Sequence, residues 1–221
     1  MSTNSNPHLE QITRENSVLL LIDQQAGWYV GLREPSPLVM KHNVLALARA
    51  VKALGIPAIL TSAGARGPFG PFIHELTELF PDQEIIDRTL IDAWEDERVR
   101  QAVARTGRRK LIIAGLALGV CGTLPALSAI ADGYTAYVAI DASGDLDGYP
   151  FTEIARLAQA GAIPVNSGPL VMELLRDNAD PKAAEVYAAL GRSPGAFLFE
   201  LSHREASEQA HPAETSPSPM T

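Results

Sequence analysis

Cysteine is almost missing from this chain: Cys121 is the single one among 221 residues. One cysteine closes no internal disulfide, which fits a reducing compartment. No apolar run approaches the roughly 20 residues of a membrane-spanning helix. The first fifteen residues, Met1 to Glu15, are polar and lack the apolar core of a secretory signal. The expectation is a cytoplasmic protein with no membrane partner. Positive charge is also short, with 18 Lys and Arg against 26 Asp and Glu and a net charge of −8. With no dominant basic cluster, nucleic acid is excluded as a partner. The five histidines do not cluster: His8 and His203 lie near the termini, His42 and His74 in helical stretches. None shows the paired spacing of metal ligands, so no metal is expected. The glycine-rich stretch Gly64 to Pro71 lacks the lysine and hydroxyl of a phosphate loop, and no cofactor is expected. There is no internal repeat.

What is present is an alternation of short apolar runs and amphipathic stretches. Strands are predicted over 17–23, 57–62, 83–88, 110–114, 134–141 and 162–165. Helices are predicted over 38–54, 72–80, 94–106, 122–132, 151–160, 169–177 and 181–190, several closed by glycine or opened by proline. Strand–helix alternation of this kind predicts an α/β fold in three layers. A six-stranded, mainly parallel sheet would carry helices on both faces, with right-handed crossovers. One domain with a full hydrophobic core fits residues 16–201, after a loosely ordered arm at 1–15 and before a Ser-, Pro- and Glu-rich tail at 202–221 that is read as disordered.

In such sheets reactive groups gather beyond the carboxyl ends of the strands. Cys121 follows the run Leu111–Ala114 after two glycines, Gly115 and Gly119, and is read as the N-cap of the helix that Pro125 and Gly133 bracket. Unpaired N–H groups there would favour a thiolate and could hold an oxyanion; a lone cysteine acting as a small buried hydrophobe is the bland reading. Asp23 ends the first strand at the rim of a dry core, either as a base or as a loop cap. Gln25, two residues on, could offer its amide to a substrate or orient Asp23. Arg88 ends the third strand. It either holds Asp23 ionised and favours a thiolate, or bridges Asp87 or Asp92 at the surface. Asp141, in Asp-Ala-Ser-Gly, reads as a turn or helix-start signal. Lys110 opens the fourth strand and should lie solvated at the opposite edge of the sheet. With no histidine near a strand end, a Cys–His pair is not expected.

Ile-Asp-Gln-Gln at 22–25, the cation at 88 and Ile-Ala-Gly-Leu-Ala-Leu-Gly-Val-Cys at 113–121 resemble the isochorismatase-like cysteine hydrolases, over about Ser17 to Leu175. Gln-Ala-Gly at 25–27, Gly-Pro-Phe-Gly-Pro at 67–71, Asp-Ala-Trp at 92–94 and Pro-Ala-Leu-Ser-Ala-Ile at 125–130 narrow the resemblance to the YcaC-type subgroup. The resemblance implies a triad: Asp23 as general base and proton donor, Cys121 as nucleophile, and Arg88 where most of the family has lysine. It implies a cis peptide at Leu116–Ala117, an oxyanion hole from the N–H groups of Ala117 and Cys121, and a substrate pocket including Gln25, Asp92, Trp94 and Leu118. The implied chemistry is hydrolysis of a C–N bond of a small amide through a thioester. Homo-oligomers in the form of ring-shaped octamers are implied as well, and the sequence itself offers the apolar stretch Phe197 to Leu201 as one candidate contact. Leu118 replaces the family's frequent threonine, Gly119 its frequent polar residue, and Asp92 the subgroup's frequent asparagine; the metal ligands of the pyrazinamidase-like branch are missing. Two rival readings are a catalytically weak binding or assembly protein on the same fold, and a redox enzyme using Cys121, which lacks a resolving cysteine.

Overall fold

A computed structural model describes residues 10–191. Six strands form one sheet: β1 (Ser17–Ile22), β2 (Ala58–Ala63), β3 (Ile85–Arg88), β4 (Lys110–Gly115), β5 (Thr135–Ala139) and β6 (Ile163–Val165). Their order is β3-β2-β1-β4-β5-β6, and every pairing is parallel. The chain switches direction across the sheet between β1 and β4, the central pair, where the register sets Ile22 opposite Gly115. That junction is where an open α/β sheet offers a crevice.

Seven helices cover the two faces: α1 (Pro37–Ala53), α2 (His74–Leu79), α3 (Glu97–Arg105), α4 (Thr123–Ala131), α5 (Pro150–Gln159), α6 (Ser167–Leu175) and α7 (Ala183–Leu190). The central strands are buried along their whole length because both faces are covered. Alternate side chains go to opposite layers. Leu19, Leu21, Ile112 and Ala114 join a core with residues of α1, α6 and α7. Val18, Leu20, Ile22, Leu111 and Ile113 join a second core with α4, Trp94 and Cys121. The reactive residues therefore lie on the α4 side.

Several elements differ from expectation for local reasons. The helix predicted over 94–106 is broken: a 3-10 turn, Ala93–Glu95, precedes α3. Asp96 makes the break, its carboxylate accepting from the Arg98 N–H at 2.9 Å as N-cap of α3. A 3-10 turn over Ala26–Gly31, unmarked by periodicity, follows β1. Of the predicted loose arm, residues 10–15 are tied to the body: Ile12 is 1% exposed and Arg14 pairs with Asp180 at 2.6 Å. Lys110 does lie at the far edge of the sheet, but it is not solvated. It is 2% exposed, and its Nζ donates to the Glu10 carbonyl and sits 3.6 Å from the Glu10 carboxylate. The arm covers it and supplies the acceptors that burial demands. Phe197–Leu201 and the 202–221 tail lie outside the described residues.

Candidate active site

Asp23 is the first residue beyond β1. Its backbone takes the left-handed conformation, φ 56°, which few residue types other than glycine adopt and aspartate tolerates. The turn is held on both sides: the Asp23 N–H donates to Thr61 at 2.8 Å, and its carbonyl accepts from the Gln25 N–H at 2.7 Å. This aims the carboxylate across the top of β1. Arg88 ends β3, two strands away, and its Nη2 donates to Asp23 Oδ2 at 2.7 Å. Both side chains are sealed from solvent, 0% and 1% exposed. Of the two readings open for Arg88, the buried pair is the one observed. Asp87 points away and accepts from Ser62 Oγ and the Ala65 N–H. Arg88 Nη1 donates to the carbonyls of Leu90 and Ile91, so the guanidinium also fixes the loop after β3. A lysine could not span these three acceptors with planar geometry.

Cys121 donates its thiol to the same Asp23 Oδ2 at 2.9 Å. One carboxylate oxygen thus serves the cation and the thiol, while Oδ1 has no hydrogen-bond partner. The thiol does not stand at an N-cap. Leu118–Gly122 is a π-helical turn, and α4 begins only at Thr123. Pro125 falls at the third position of α4, which continues directly from the π-turn, the Thr123 N–H donating to the Leu118 carbonyl. The wide turn is folded onto the carbonyl of Ala117, which accepts from the N–H groups of Val120, Cys121 and Gly122 at 3.2, 2.8 and 3.1 Å. π-Turns of this kind concentrate at functional sites. Gly115 makes the packing feasible: a Cβ there would lie 2.1 Å from the Cys121 carbonyl oxygen.

The electrostatics also depart from expectation. Burial first, then the Asp23 carboxylate and its hydrogen bond, push the Cys121 thiol up from its usual range, against a weaker downward pull from Arg88. Asp23 is itself raised by burial, opposed by Arg88. The resting pair is a protonated thiol beside a carboxylate held in place by a guanidinium. The free helix terminus expected to favour a thiolate is not what surrounds Cys121: its N–H donates to the Ala117 carbonyl within the π-turn, and the residue is 4% exposed.

The Leu116–Ala117 peptide is cis. The Ala117 N–H has no acceptor among the described residues, whereas the Cys121 N–H already donates to Ala117. Of the two N–H groups that the resemblance implies as an oxyanion hole, that of Ala117 is thus free among the described residues and that of Cys121 is committed. The remaining pocket residues divide. Leu118 and Trp94 share the apolar cluster of Cys121. Trp94 is anchored by Nε1 to Asp132 at 2.8 Å and edge-on to Tyr134. Asp92 caps the 3-10 turn through the Trp94 N–H and accepts from Ser128 Oγ at 2.5 Å, so its charge is bound within the scaffold. Gln25 spans Ala63 and Gly70, fixing the glycine-rich loop. Asp141 lies in a 3-10 turn, Ile140–Ala142, and its carboxylate accepts from the Ser167 N–H and hydroxyl at the start of α6, a distant helix and not one at its own position.

Sequence reasoning missed Gln24 and Ser143. Gln24 is fully buried and joins Tyr29 to the carbonyls of Ala114 and Ala142. Ser143 accepts from the Gly115 N–H at 3.2 Å, steadying the end of β4. Its only signal was the turn motif around Asp141. Among the described residues, no group of three or more His, Cys, Asp or Glu is placed to hold a metal, and no helix is long and apolar enough to cross a membrane.

A doubly covered parallel sheet with an acid, a cation and a cysteine meeting at the switch point defines a class, and comparison with known proteins gives it a family. The Isochorismatase domain family matches residues 17–168, and the chain belongs to that family. Within it the chain groups with the YcaC proteins and is a hydrolase of unassigned specificity. It is 40% identical to "Probable hydrolase YcaC" of Escherichia coli (strain K12) over 174 residues, 76% of this chain and 81% of that one. Two solved structures overlay closely. The Escherichia coli YcaC gene product, an octameric hydrolase of unknown specificity, gives a TM-score of 0.83 at 34% identity. YcaC from Pseudomonas aeruginosa with hexane-2,5-diol and covalent acrylamide gives 0.82 at 34%. Each pairing covers 89% of this chain and 98% of the other.

Proposed function

We propose that the chain is a metal-independent cysteine hydrolase that cleaves the C–N bond of a small amide through a thioester. The observation that carries this reading is the single oxygen, Asp23 Oδ2, that accepts from both the Cys121 thiol and the Arg88 guanidinium. Because the thiol rests protonated, attack on the substrate carbonyl is coupled to proton transfer from Sγ to Asp23. The thiolate forms only as the C–S bond forms, so no free buried anion has to be stabilised. Arg88 remains charged throughout and holds the carboxylate where the proton arrives. The Ala117 N–H is free to donate to the developing oxyanion. Asp23 then returns the proton to the leaving nitrogen, which departs as ammonia or an amine. A water deprotonated by Asp23 hydrolyses the thioester and restores the thiol.

Two features of relatives support the reading. The Pseudomonas protein carries covalent acrylamide, as a protein with a reactive nucleophile would. The Escherichia coli protein is octameric, and we extend self-association of this kind to the present chain. The test is a screen of small primary amides for ammonia release, with intact-mass detection of an acyl adduct. Wild type should release ammonia from at least one amide and carry the adduct. Cys121→Ala should do neither while keeping its fold. Undiminished hydrolysis by the variant would exclude Cys121 as nucleophile. Silence of the wild type across the library would favour the assembly-protein reading instead.

A further inference from the structure

A second concavity lies away from the cysteine. It is a groove of about 850 Å³ between the first turns of α1 and the start of α6. Leu38, Val39, His42, Pro169 and Leu190 line it, with Asn43 at its floor. Leu38 is 83% exposed and Val39 48%, unusual for aliphatic residues on consecutive positions of a helix. The floor is prebuilt: Asn43 Nδ2 donates to the Asp141 carbonyl at 2.9 Å, and Ser167 ties the Asp141 side chain to α6.

The chain itself leads into it. Leu190, the last residue of α7, is on the groove wall, and Gly191 follows with φ 60°. A Cβ on Gly191 would lie 3.2 Å from His42 Cε1, so the backbone turns directly over the groove rim. Thirty residues follow, and their apolar content is concentrated in one place: Ala-Phe-Leu-Phe-Glu-Leu at 196–201. Beyond it the sequence is rich in Ser, Pro, Glu and Ala. Five residues separate Gly191 from Phe197, and the six steps give a reach of up to about 20 Å when extended. That reach is long enough for Phe197 to return to a groove whose wall includes Leu190. A tethered segment also has an effective concentration in the millimolar range, which a second copy must exceed to compete.

We infer that the groove between α1 and α6 is the docking site of the chain's own segment 196–201, with Phe197 and Phe199 seated against Leu38 and Val39. The segment buries the aliphatic pair that α1 leaves uncovered. It also closes α7 onto α1 beyond the last helical residue.

The test uses the full-length chain, whose single native cysteine is replaced by Cys121→Ser. Val39→Cys is combined in turn with Phe197→Cys, Leu198→Cys and Phe199→Cys, and each protein is oxidised. Non-reducing electrophoresis and peptide mapping should find a disulfide within one chain in at least one pairing. Disulfides only between chains would assign the groove to a second copy, and none in any pairing would leave it without this occupant; either overturns the inference. As a second measurement, full-length Phe197→Asp/Phe199→Asp should exchange amide hydrogens at residues 37–46 at least threefold faster than wild type. Equal exchange would overturn the inference irrespective of the cross-links.

Discussion

Asp23 Oδ2 serves two donors at once, and this sharing makes ionisation of Cys121 and turnover respond in opposite directions to one substitution. Burial is the largest cause that holds the thiol protonated, and the Asp23 charge and hydrogen bond come next. Asp23→Asn removes the second and third of these and keeps the first. The pH midpoint of iodoacetamide labelling at Cys121 should therefore fall. Amide hydrolysis should nevertheless drop by about 100-fold or more, because the proton acceptor is gone. A lowered midpoint with unchanged hydrolysis would remove Asp23 from the chemistry. A raised midpoint would show that the carboxylate does not face the thiol. The same thiol leaves a mark on stability. An unfolded cysteine ionises near 9.0, whereas the folded one is raised above that value. Between the two, the folded state holds a proton that the unfolded state has lost, so stability falls as pH rises. The loss is bounded at about 1.4 kcal/mol per pH unit. Relative to Cys121→Ser, wild type should lose urea-unfolding free energy between pH 9 and 10.5 while the difference stays constant from pH 6 to 8. A constant difference across the whole range would mean that the thiol ionises in the folded protein as readily as in the unfolded one.

The element that governs the site is the π-turn at Leu118–Gly122, and it depends on Gly115. A methyl group on Gly115 would meet backbone atoms of Cys121 and Gly122 at 2.1 to 2.6 Å, and backbone cannot yield as a side chain can. Gly115→Ala should destabilise the fold by about 1–3 kcal/mol, as overpacking in a filled core does, and should abolish turnover in whatever fraction stays folded. Gly168→Ala, which has no atom within 4 Å, should be neutral in both assays. Equal behaviour of the two variants would show that the turn tolerates displacement from β4. This turn also marks the limit of what the sequence discloses. The runs Val18–Ile22 and Leu111–Ala114 are legible as buried parallel strands because periodicity and composition agree, and the residues after them follow from topology. The state of Cys121 was not legible. Glycine–x–x–x–glycine before a cysteine reads equally as a loop or a helix start. Only the carbonyl of Ala117, collecting three N–H donors, selects the wide turn and removes the free N-terminus. Lys110 was misread for a related reason: an isolated lysine at a strand start signals solvent, and the arm that buries it lies 100 residues away. The contact of Asp92 with Ser128 of α4 was likewise not legible, because the two residues lie 36 positions apart.

At the scale of the whole molecule, the surface holds more apolar area than a solitary chain of this charge requires. Val30 is 90% exposed, Tyr149 76% and Phe151 80%. Val30 adjoins one, and Tyr149 and Phe151 follow the other, of two segments that run together. Segments 31–34 and 144–148 lie side by side, joined by hydrogen bonds between the N–H groups of Arg33 and Glu34 and the Asp145 carbonyl, and by an antiparallel bridge from Glu34 to Asp145. Exposed apolar side chains of this size, when they gather on a surface, mark association sites. None of the three is needed to fold one chain, since each is already in solvent there. This separates assembly from folding experimentally. Wild type should give a light-scattering mass several times the 23.6 kDa of the chain. Phe151→Glu should give a smaller mass with unchanged circular dichroism, because it adds a charge to the contact and removes no packing within the chain. Its cysteine chemistry should persist if the triad is complete within one subunit, as the shared oxygen of Asp23 indicates. A wild-type mass equal to one chain would exclude assembly. An unaltered assembly in Phe151→Glu would move the contact to another face. Loss of activity on dissociation, with the fold intact, would instead require a neighbouring subunit to finish the site.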